Sequence, residues 1–182
     1  ATILEQTEKL DFLIQSLVKL SRMESGIIAV HPEDTAIAQM FASVQQQFNV
    51  KAMEKDISLS LFDTDLHAIC DLKWTAEALG NIVDNAIKYT ACGGNVQIKV
   101  EQYSFFVKID IIDDGIGIEK EEIPKIFGRF YRSLSVADQP GVGIGLFLAR
   151  EIIQAQKGYI KVTSKRGKGS TFSVFLPIAK KE

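Results

Sequence analysis

Hydrophobic residues recur along this chain with two periods, which together predict an α/β protein. Steps of three and four residues predict amphipathic helices over residues 1 to about 25, 35 to 53, 73 to 90 and 145 to 157. Alternation of apolar and polar residues predicts strands over 57–62, 96–100, 105–112, 159–164 and 171–176. About three helices and five strands after the leading helix suit a two-layer α/β sandwich with one mixed sheet.

The leading helix carries an apolar stripe that a single helix cannot bury. The stripe consists of Ile3, Leu10, Leu13, Ile14, Leu17, Leu20 and Met23. It therefore needs a partner, either the domain that follows or another helix in a bundle. Gly26 is predicted to end this helix, because glycine suits the left-handed position that follows a helix. Asp34 or Thr35 is predicted to cap the next helix.

Turn-forming residues separate the later periodic segments. Gly93-Gly94 turns the chain into two strands, 96–100 and 105–112, which we expect to pair antiparallel. A polar hairpin turn is predicted at 165–169. Residues 133–140 have no periodicity and several turn formers, so we expect this stretch to be mobile.

Composition narrows the class of protein. The chain has 182 residues, 46% of them hydrophobic and 24% charged, with a net charge of −2. These values are typical of a soluble globular domain and give no reason to expect nucleic acid or a charged bilayer as the main partner. No apolar run approaches the ~20 residues of a membrane span. Because the chain begins with Ala1 inside a predicted helix, we expect a fragment of a longer protein.

The cysteines and histidines form no recognisable ligand pattern in the sequence. Cys70 and Cys92 lie far apart, which is typical of two reduced thiols in a cytosolic protein. His31 and His67 are likewise isolated from ligand-like neighbours. Zinc is therefore not predicted.

Two asparagines four positions apart supply oxygen ligands on one face of a predicted helix. They are Asn81 and Asn85, and Lys88 and Tyr89 follow on the next turn. Amide oxygens suit a hard cation that takes its other ligands from water and phosphates, as Mg²⁺ does. Lys88 would place positive charge near those phosphates, and Tyr89 would cover a base or ribose. An isolated pair of asparagines is more often a solvated face, but the glycine motifs downstream favour a site.

A carboxylate at a strand end and two glycine motifs supply other parts of a nucleotide site. Asp113 is placed to accept a hydrogen bond from the exocyclic amine of adenine, while Gly115 and Gly117 permit close backbone approach. The segment 141–146, Gly-Val-Gly-Ile-Gly-Leu, opens directly into a helix. Its amides and the helix dipole favour an anion, so it is the predicted triphosphate contact.

Two familiar nucleotide-binding motifs do not match. No Gly-x-Gly-x-x-Gly follows a first strand with an acidic residue about twenty positions on, as a dinucleotide-binding dehydrogenase would have. No Gly-Lys-Ser/Thr follows the glycines at 141–145, so this is not a Walker loop. Phe127 and Phe130 stay open to two interpretations: core anchors for the mobile stretch, or parts of a docking surface.

The order of these motifs resembles that of the sensor histidine kinases of two-component signalling. Residues 81–90 resemble the N box, 113–117 the first glycine box, 127–130 the F box, 141–146 the second glycine box and 167–172 the closing motif. The resemblance covers residues 35–178. It implies the ATP-binding (Bergerat) fold of the GHKL superfamily, shared with gyrase, heat-shock protein 90 and the mismatch-repair ATPases, with a mostly antiparallel five-stranded sheet.

The resemblance also implies ATP and Mg²⁺ as cofactors and assigns roles to residues. Asn85 resembles the Mg²⁺ ligand, Asn81 its companion and Lys88 a phosphate contact, and these three are the implied catalytic residues. The other implied nucleotide-binding residues are Tyr89, Asp113, Gly115, Gly117, Ile118, Arg129, Phe130, Arg132, Gly141, Val142, Gly143, Ile144, Gly145, Leu146 and Thr171. Residues 118 to about 142 correspond to a lid over the nucleotide.

Asn81 distinguishes two activities within this superfamily. Gyrase-like ATPases have a water-activating glutamate four residues before the metal asparagine, and an asparagine cannot act as a general base at neutral pH. A protein-histidine kinase that transfers the γ-phosphate therefore fits better than a gyrase-like hydrolase. A degenerate scaffold that no longer binds nucleotide is a third hypothesis, opposed by the intact Asn85, Asp113 and glycines.

The leading helix resembles a different part of the same kinases. Residues 17–26 are similar to the end of the second helix of the dimerisation and phosphoacceptor hairpin, so we expect 1–26 to belong to that hairpin and 27–182 to form the ATP-binding domain. The acceptor histidine belongs on the first helix, and neither His31 nor His67 matches its motif. The fragment is therefore expected to bind ATP without phosphorylating itself.

The resemblance implies several partners for the parent protein. They are its own phosphoacceptor hairpin, a response regulator whose aspartate receives the phosphoryl group, and a second copy in a homodimer. The implied location is the cytoplasm, with a membrane involved only through other parts of the parent.

Overall fold

The computed structural model describes residues 7, 10–11, 13–15, 17–19, 21, 25, 29–133, 136, 139 and 141–179. The helices that lie wholly within these ranges are α1 (Ile37–Glu54), α2 (Leu72–Tyr89) and α3 (Gly145–Ala155). The strands are β1 (Glu33–Ala36), β2 (Ser58–Leu61), β3 (His67–Cys70), β4 (Asn95–Gln102), β5 (Phe106–Asp113), β6 (Tyr159–Ser164) and β7 (Ser170–Pro177).

Five of the strands form one mixed sheet in the order β2-β4-β5-β7-β6. β2 runs parallel to β4, while the β4–β5, β5–β7 and β6–β7 pairs are antiparallel. The register sets Asp113, at the end of β5, between Val96 of β4 and Ser170 of β7. The prediction of a mixed, mostly antiparallel five-stranded sheet with helices is therefore confirmed.

One face of the sheet packs on the three helices and forms the core. Alternate residues of β5, such as Val107, Ile109 and Ile111, are fully buried because their side chains point to the helix layer. α2 buries Ile82 and Ile87 against them. Each such apolar side chain contributes about 1.5–3 kcal/mol to stability on burial.

A second, two-stranded sheet was not predicted. β1 pairs antiparallel with β3. Thr35 of β1 is buried, and its Oγ1 donates to Cys70 O of β3 at 2.9 Å. The prediction that α1 begins at Thr35 with Asp34 or Thr35 as its cap is therefore wrong. α1 begins at Ile37 after Ala36, which makes no side-chain cap hydrogen bond. The two strands read Glu-Asp-Thr-Ala and His-Ala-Ile-Cys, and neither alternates apolar with polar residues, so the pattern gives no signal for them.

The leading segment is helical at its described positions between residues 7 and 21. Leu13 packs against the core, and Lys19 Nζ lies 2.7 Å from Glu77 Oε1 on α2. Leu10, Ile14, Leu17 and Val18 are exposed by 42–57%. The predicted stripe positions Ile3, Leu20 and Met23, and the helix stop at Gly26, lie outside the described residues.

Among the described residues, none of the helices combines the length and the apolar composition that crossing a lipid bilayer requires.

Most of the stretch 133–140 lies outside the described residues, so its mobility stays a prediction.

Candidate functional site

A cleft of about 1510 Å³ opens beside α2, at the end of β5 that carries Asp113. Its walls are α2, the loop after β5, and the glycine-rich segment that leads into α3. The predicted site residues that line it are Asn81, Asn85, Lys88, Tyr89, Asp113, Gly117, Ile118, Arg132 and 141–146. Motifs that are distant in the sequence therefore meet in one cavity.

α2 presents a polar stripe to this cleft. Asp71 caps the start of the helix, because its Oδ1 accepts from Trp74 N at 3.1 Å. The apolar face of the helix is buried in the core. Positions three and four apart share a helix face, so Asn81, Asn85 and Lys88 follow one another along the cleft wall.

Asn81 lies where α2 meets the start of α3. Its Nδ2 donates to Glu77 O at 3.1 Å, one turn earlier on the same helix. A Cβ at Gly145 would lie 3.2 Å from Asn81 Oδ1, so the glycine lets α3 begin against this side chain. The contact fixes the glycine-rich segment relative to the asparagine stripe.

Asp113 is the buried carboxylate of the cleft. It is 7% exposed, and its Oδ1 accepts from Gly115 N at 3.0 Å. Burial raises the pKa of this carboxyl above its ordinary value, against the opposing effect of backbone hydrogen bonds from Gly115 and Ser170. A buried acceptor at the cleft wall suits a ligand that brings its own N–H donor, such as an exocyclic amine.

Its neighbour Asp114 has the opposite environment. Asp114 is exposed and accepts from Asn95 N and Asn95 Nδ2, both at 2.8 Å. These hydrogen bonds lower the pKa of its carboxyl. Asp114 therefore holds the strand end, while Asp113 faces the ligand space.

The glycine-rich segment brings an anion-binding helix end to the cleft. α3 begins after Ile144, whose side chain makes no cap hydrogen bond to the first N–H groups. A Cβ at Gly141 would lie 2.7 Å from Lys88 Nζ, which places the lysine ammonium directly over this segment. Backbone N–H groups, the helix dipole and one ammonium together favour a phosphate.

Four predicted site residues do not line the cleft. The Arg129 guanidinium lies over the Phe147 ring at 4.7 Å, and Phe130 is 52% exposed with φ of 60°. Gly115 N donates to Asp113 Oδ1. Thr171 is flanked on β7 by Ser170 and Phe172, which do line the cleft. Their contacts with a nucleotide stay predictions.

The donor set fits a magnesium nucleotide. Asn85 offers an amide oxygen on the cleft wall, and a metal ion there would take its remaining ligands from phosphates and water. Lys88 and the start of α3 supply the positive charge and the N–H groups for phosphates, and the loop after Asp113 is hydrogen-bonded to the last residue of α2 through Ile116 N and Tyr89 O. The residues present therefore match the group that the motifs imply.

Comparison with known proteins identifies the family. Residues 70–180 match the model of the histidine kinase-, DNA gyrase B- and HSP90-like ATPases, which is more than half of the chain. The chain belongs to this family. It is an ATP-binding domain of the sensor histidine kinase type, as the order of its motifs predicted.

Relatives of this ATPase domain are named as sensor kinases. The chain is 31% identical over 171 residues to sensor protein kinase PmrB of Pseudomonas aeruginosa, covering 93% of the chain and 36% of PmrB. It is 33% identical over 177 residues to sensor histidine kinase WalK of Bacillus subtilis, covering 94% of the chain and 29% of WalK. The chain thus spans about a third of the length of these curated relatives.

A solved structure shows the same architecture for this ATPase domain. The Acinetobacter baumannii histidine kinase AdeS superimposes with a TM-score of 0.77 at 25% identity, over 97% of the chain and 82% of AdeS. The likeness extends through the sheet and helices described above, which confirms the predicted fold.

Asp84 and Lys55 are among the cleft residues of the ATPase domain that the sequence analysis missed. Asp84 lies on the same α2 stripe as Asn81 and Asn85 and forms an ion pair with Lys51 of α1. The helical spacing alone contained the signal for Asp84, since it is three residues after Asn81. Lys55, at the end of α1, also lines the cleft, and nothing in its local sequence indicates this.

Two glycines of the ATPase domain should respond differently to alanine. At Gly117, with φ of 65°, a Cβ would lie 2.1 Å from Lys165 O, so Gly117→Ala should destabilise the fold by about 3 kcal/mol or more. At exposed Gly141, with φ of 144°, the neighbour that a Cβ would meet is Lys88 Nζ rather than backbone, so Gly141→Ala should cost backbone strain of about 1 kcal/mol and weaken ATP binding about tenfold. Urea unfolding and calorimetry separate the two effects, and equal loss of stability in both variants would contradict them.

Proposed function

We propose that this chain serves as the catalytic part of a two-component sensor histidine kinase, transferring the γ-phosphate of ATP to a histidine of the parent's phosphoacceptor hairpin. The observation that carries the proposal is that buried Asp113 and the Asn81–Asn85–Lys88 stripe line one cleft. That set supplies one acceptor for a base and several groups for phosphates and a metal ion.

Each end of the cleft supports a separate part of ATP recognition. Asp113 accepts the adenine amine, because its buried carboxylate gains more from a charge-assisted hydrogen bond than an exposed one would. Lys88 and the amides of 141–146 hold the phosphates, and Asn85 with Asn81 holds Mg²⁺. Tyr89 covers the ribose or base from the end of α2. The lid assigned to residues 118 to about 142 closes over this site.

The contribution to phosphoryl transfer is mostly positioning. A neutral imidazole nitrogen of the hairpin attacks the γ-phosphorus, the bond to the bridging β–γ oxygen breaks, and ADP leaves. Bound Mg²⁺ would neutralise charge that develops on the phosphate oxygens. Lys88 adds a second positive charge, and the glycine-rich segment fixes the triphosphate so that the γ-phosphate points out of the cleft.

Asn81 favours transfer over hydrolysis. Its amide donates to Glu77 O and cannot deprotonate water, so the position that carries the base in gyrase-like enzymes is inert here. The nucleophile must then come from another chain or another part of the parent.

The remaining assignments concern the parent protein. We assign residues 1–26 to the end of the hairpin's second helix and 27–182 to the ATP-binding domain, supported by alignment with PmrB and WalK over 93% and 94% of the chain. On this proposal the parent is a homodimer that passes the phosphoryl group to a response regulator. This part of it lies in the cytoplasm.

The proposal predicts labelling in trans but not in cis. Incubation of this chain with γ-labelled ATP and Mg²⁺ should give no acid-labile phosphohistidine on it, because no acceptor is present. A separate hairpin polypeptide should become labelled slowly, since separate chains in dilute solution do not reach the about millimolar effective concentration of a linked domain.

A hairpin with its histidine replaced by glutamine is the matched control and should stay unlabelled. Label on His31 or His67 would overturn the acceptor argument. Rapid release of free phosphate without a hairpin would favour the hydrolase instead.

A further inference from the structure

The last turn of α2 carries two of the proposed nucleotide contacts and ends inside the fold. Its final four carbonyls, those of residues 86–89, lie where the helix ends, so they need partners from outside the helix or from its cap. Ala86 O accepts from Thr90 N at 3.1 Å, and Tyr89 O accepts from Ile116 N at 3.2 Å. The latter bond ties the helix end to the loop that follows Asp113.

The two middle carbonyls are held by one side chain from another helix. Lys55, the residue that ends α1, donates from Nζ to Ile87 O at 2.9 Å and to Lys88 O at 2.7 Å. It reaches across 32 and 33 positions of sequence to do so. All four terminal carbonyls of α2 are thereby paired.

The charge of Lys55 suits this place. The C-terminus of a helix carries partial negative charge, and a cation there stabilises the last turn. Lys55 is only partly exposed, and burial lowers the pKa of its ammonium. It also lines the nucleotide cleft beside the side chains of Lys88 and Tyr89.

We propose that Lys55 is a positioning residue for nucleotide binding: by holding the carbonyls of Ile87 and Lys88, it fixes the last turn of α2 and thereby aims the Lys88 side chain into the cleft. This role rests on the proposed ATP-binding function of the cleft. Lys55 acts through α2 and needs no contact with ATP.

The alternative is that Lys55 only stabilises the fold. The two roles differ in where the loss appears. A general stabiliser, when removed, lowers the unfolding temperature and leaves affinity for every ligand of the folded domain unchanged. A positioning residue, when removed, loosens one turn and weakens the phosphate contact made by Lys88, while the contact made by Asp113 persists and Tyr89 stays anchored through its carbonyl to Ile116 N.

The test compares ATP with adenosine in matched variants. Lys55→Met removes both hydrogen bonds, and Lys55→Arg keeps a cation able to bridge two carbonyls. Lys73→Met is the control, because it removes a lysine from the exposed start of α2, outside the nucleotide cleft. Calorimetry should show ATP affinity about tenfold lower for Lys55→Met, since the charged hydrogen bond from Lys88 to a phosphate is worth at least that factor. Adenosine affinity should be nearly unchanged, Lys55→Arg should restore most of the loss, and Lys73→Met should match the wild type.

Hydrogen exchange without nucleotide tests the same inference independently. The Thr90 amide, which bonds to Ala86 O in the last turn, should exchange faster in Lys55→Met than in Lys73→Met. Should Lys55→Met fold poorly, Lys55→Gln keeps an N–H donor group without the charge and should show an intermediate effect. Unchanged exchange and ATP affinity, or equal loss of ATP and adenosine affinity with a lower melting temperature, would overturn the proposal. Failure of the wild type to bind ATP would instead overturn the proposed function, with the exchange result still deciding the role of Lys55.

Discussion

Asp113→Asn should lower the affinity for ATP by about ten- to a hundredfold, the worth of one charge-assisted hydrogen bond. The same substitution should make the nucleotide-free domain more stable at neutral pH. Burial raises the pKa of Asp113 in the folded state, so its contribution to stability is present below the unfolded pKa. That contribution is lost as pH rises through the folded pKa, and the ionised carboxylate then costs free energy that asparagine does not.

Asp114→Asn is the matched control for this prediction. The pKa of Asp114 is lowered by its hydrogen bonds from Asn95, so its contribution to stability is present above the unfolded pKa and lost as pH falls through the folded pKa. Its replacement should therefore reduce stability at neutral pH and leave ATP affinity unchanged. Calorimetry and urea unfolding at neutral and acidic pH measure both quantities. A loss of stability in Asp113→Asn at neutral pH, or wild-type ATP affinity, would refute the assignment.

Asn85→Ala should abolish the dependence of ATP binding on Mg²⁺ and reduce phosphoryl transfer to a hairpin in trans by about a hundredfold or more. The reason is that the proposed amide ligand on the cleft wall is removed, while the adenine and phosphate contacts remain. Asn49→Ala, which removes an exposed asparagine on α1 outside the cleft, is the matched control. ATP titrations with and without Mg²⁺ provide the measurement. A variant whose Mg²⁺ dependence equals that of the wild type would exclude Asn85 as the ligand.

Much of the fold follows from local periodicity. α2, the β4–β5 pair and the β6–β7 hairpin were predicted nearly to the residue, because each is long and has one clearly apolar face. The β1–β3 sheet was not predictable in this way. Its two strands pair residues more than thirty positions apart, and their stability comes from that pairing rather than from local pattern.

The same limit applies to the site. Asn85, Asp113 and the glycine-rich segment could be found because each lies within a short motif whose composition indicates its chemistry. Lys55 and the Lys51–Asp84 pair could not, because each acts through a contact between α1 and α2. Packing between helices decides which lysine reaches which partner, and the sequence around Lys55 is ordinary.

The pinning of the loop after Asp113 has a consequence for the modularity of the domain. Ile116 O accepts from Gly167 N at 2.7 Å and Ile118 N donates to Ser164 Oγ at 2.8 Å, so the β6–β7 hairpin holds the loop that follows Asp113. At the other side, Gly145 begins α3 against Asn81. Ile126, Phe127 and Val142 pack against the core within the segment between these two anchors, so its length can change at its exposed turns, where closing a longer loop between fixed ends costs little additional entropy. On the proposed function, chimeras that exchange those turns between kinases would keep adenine recognition while acquiring a different lid.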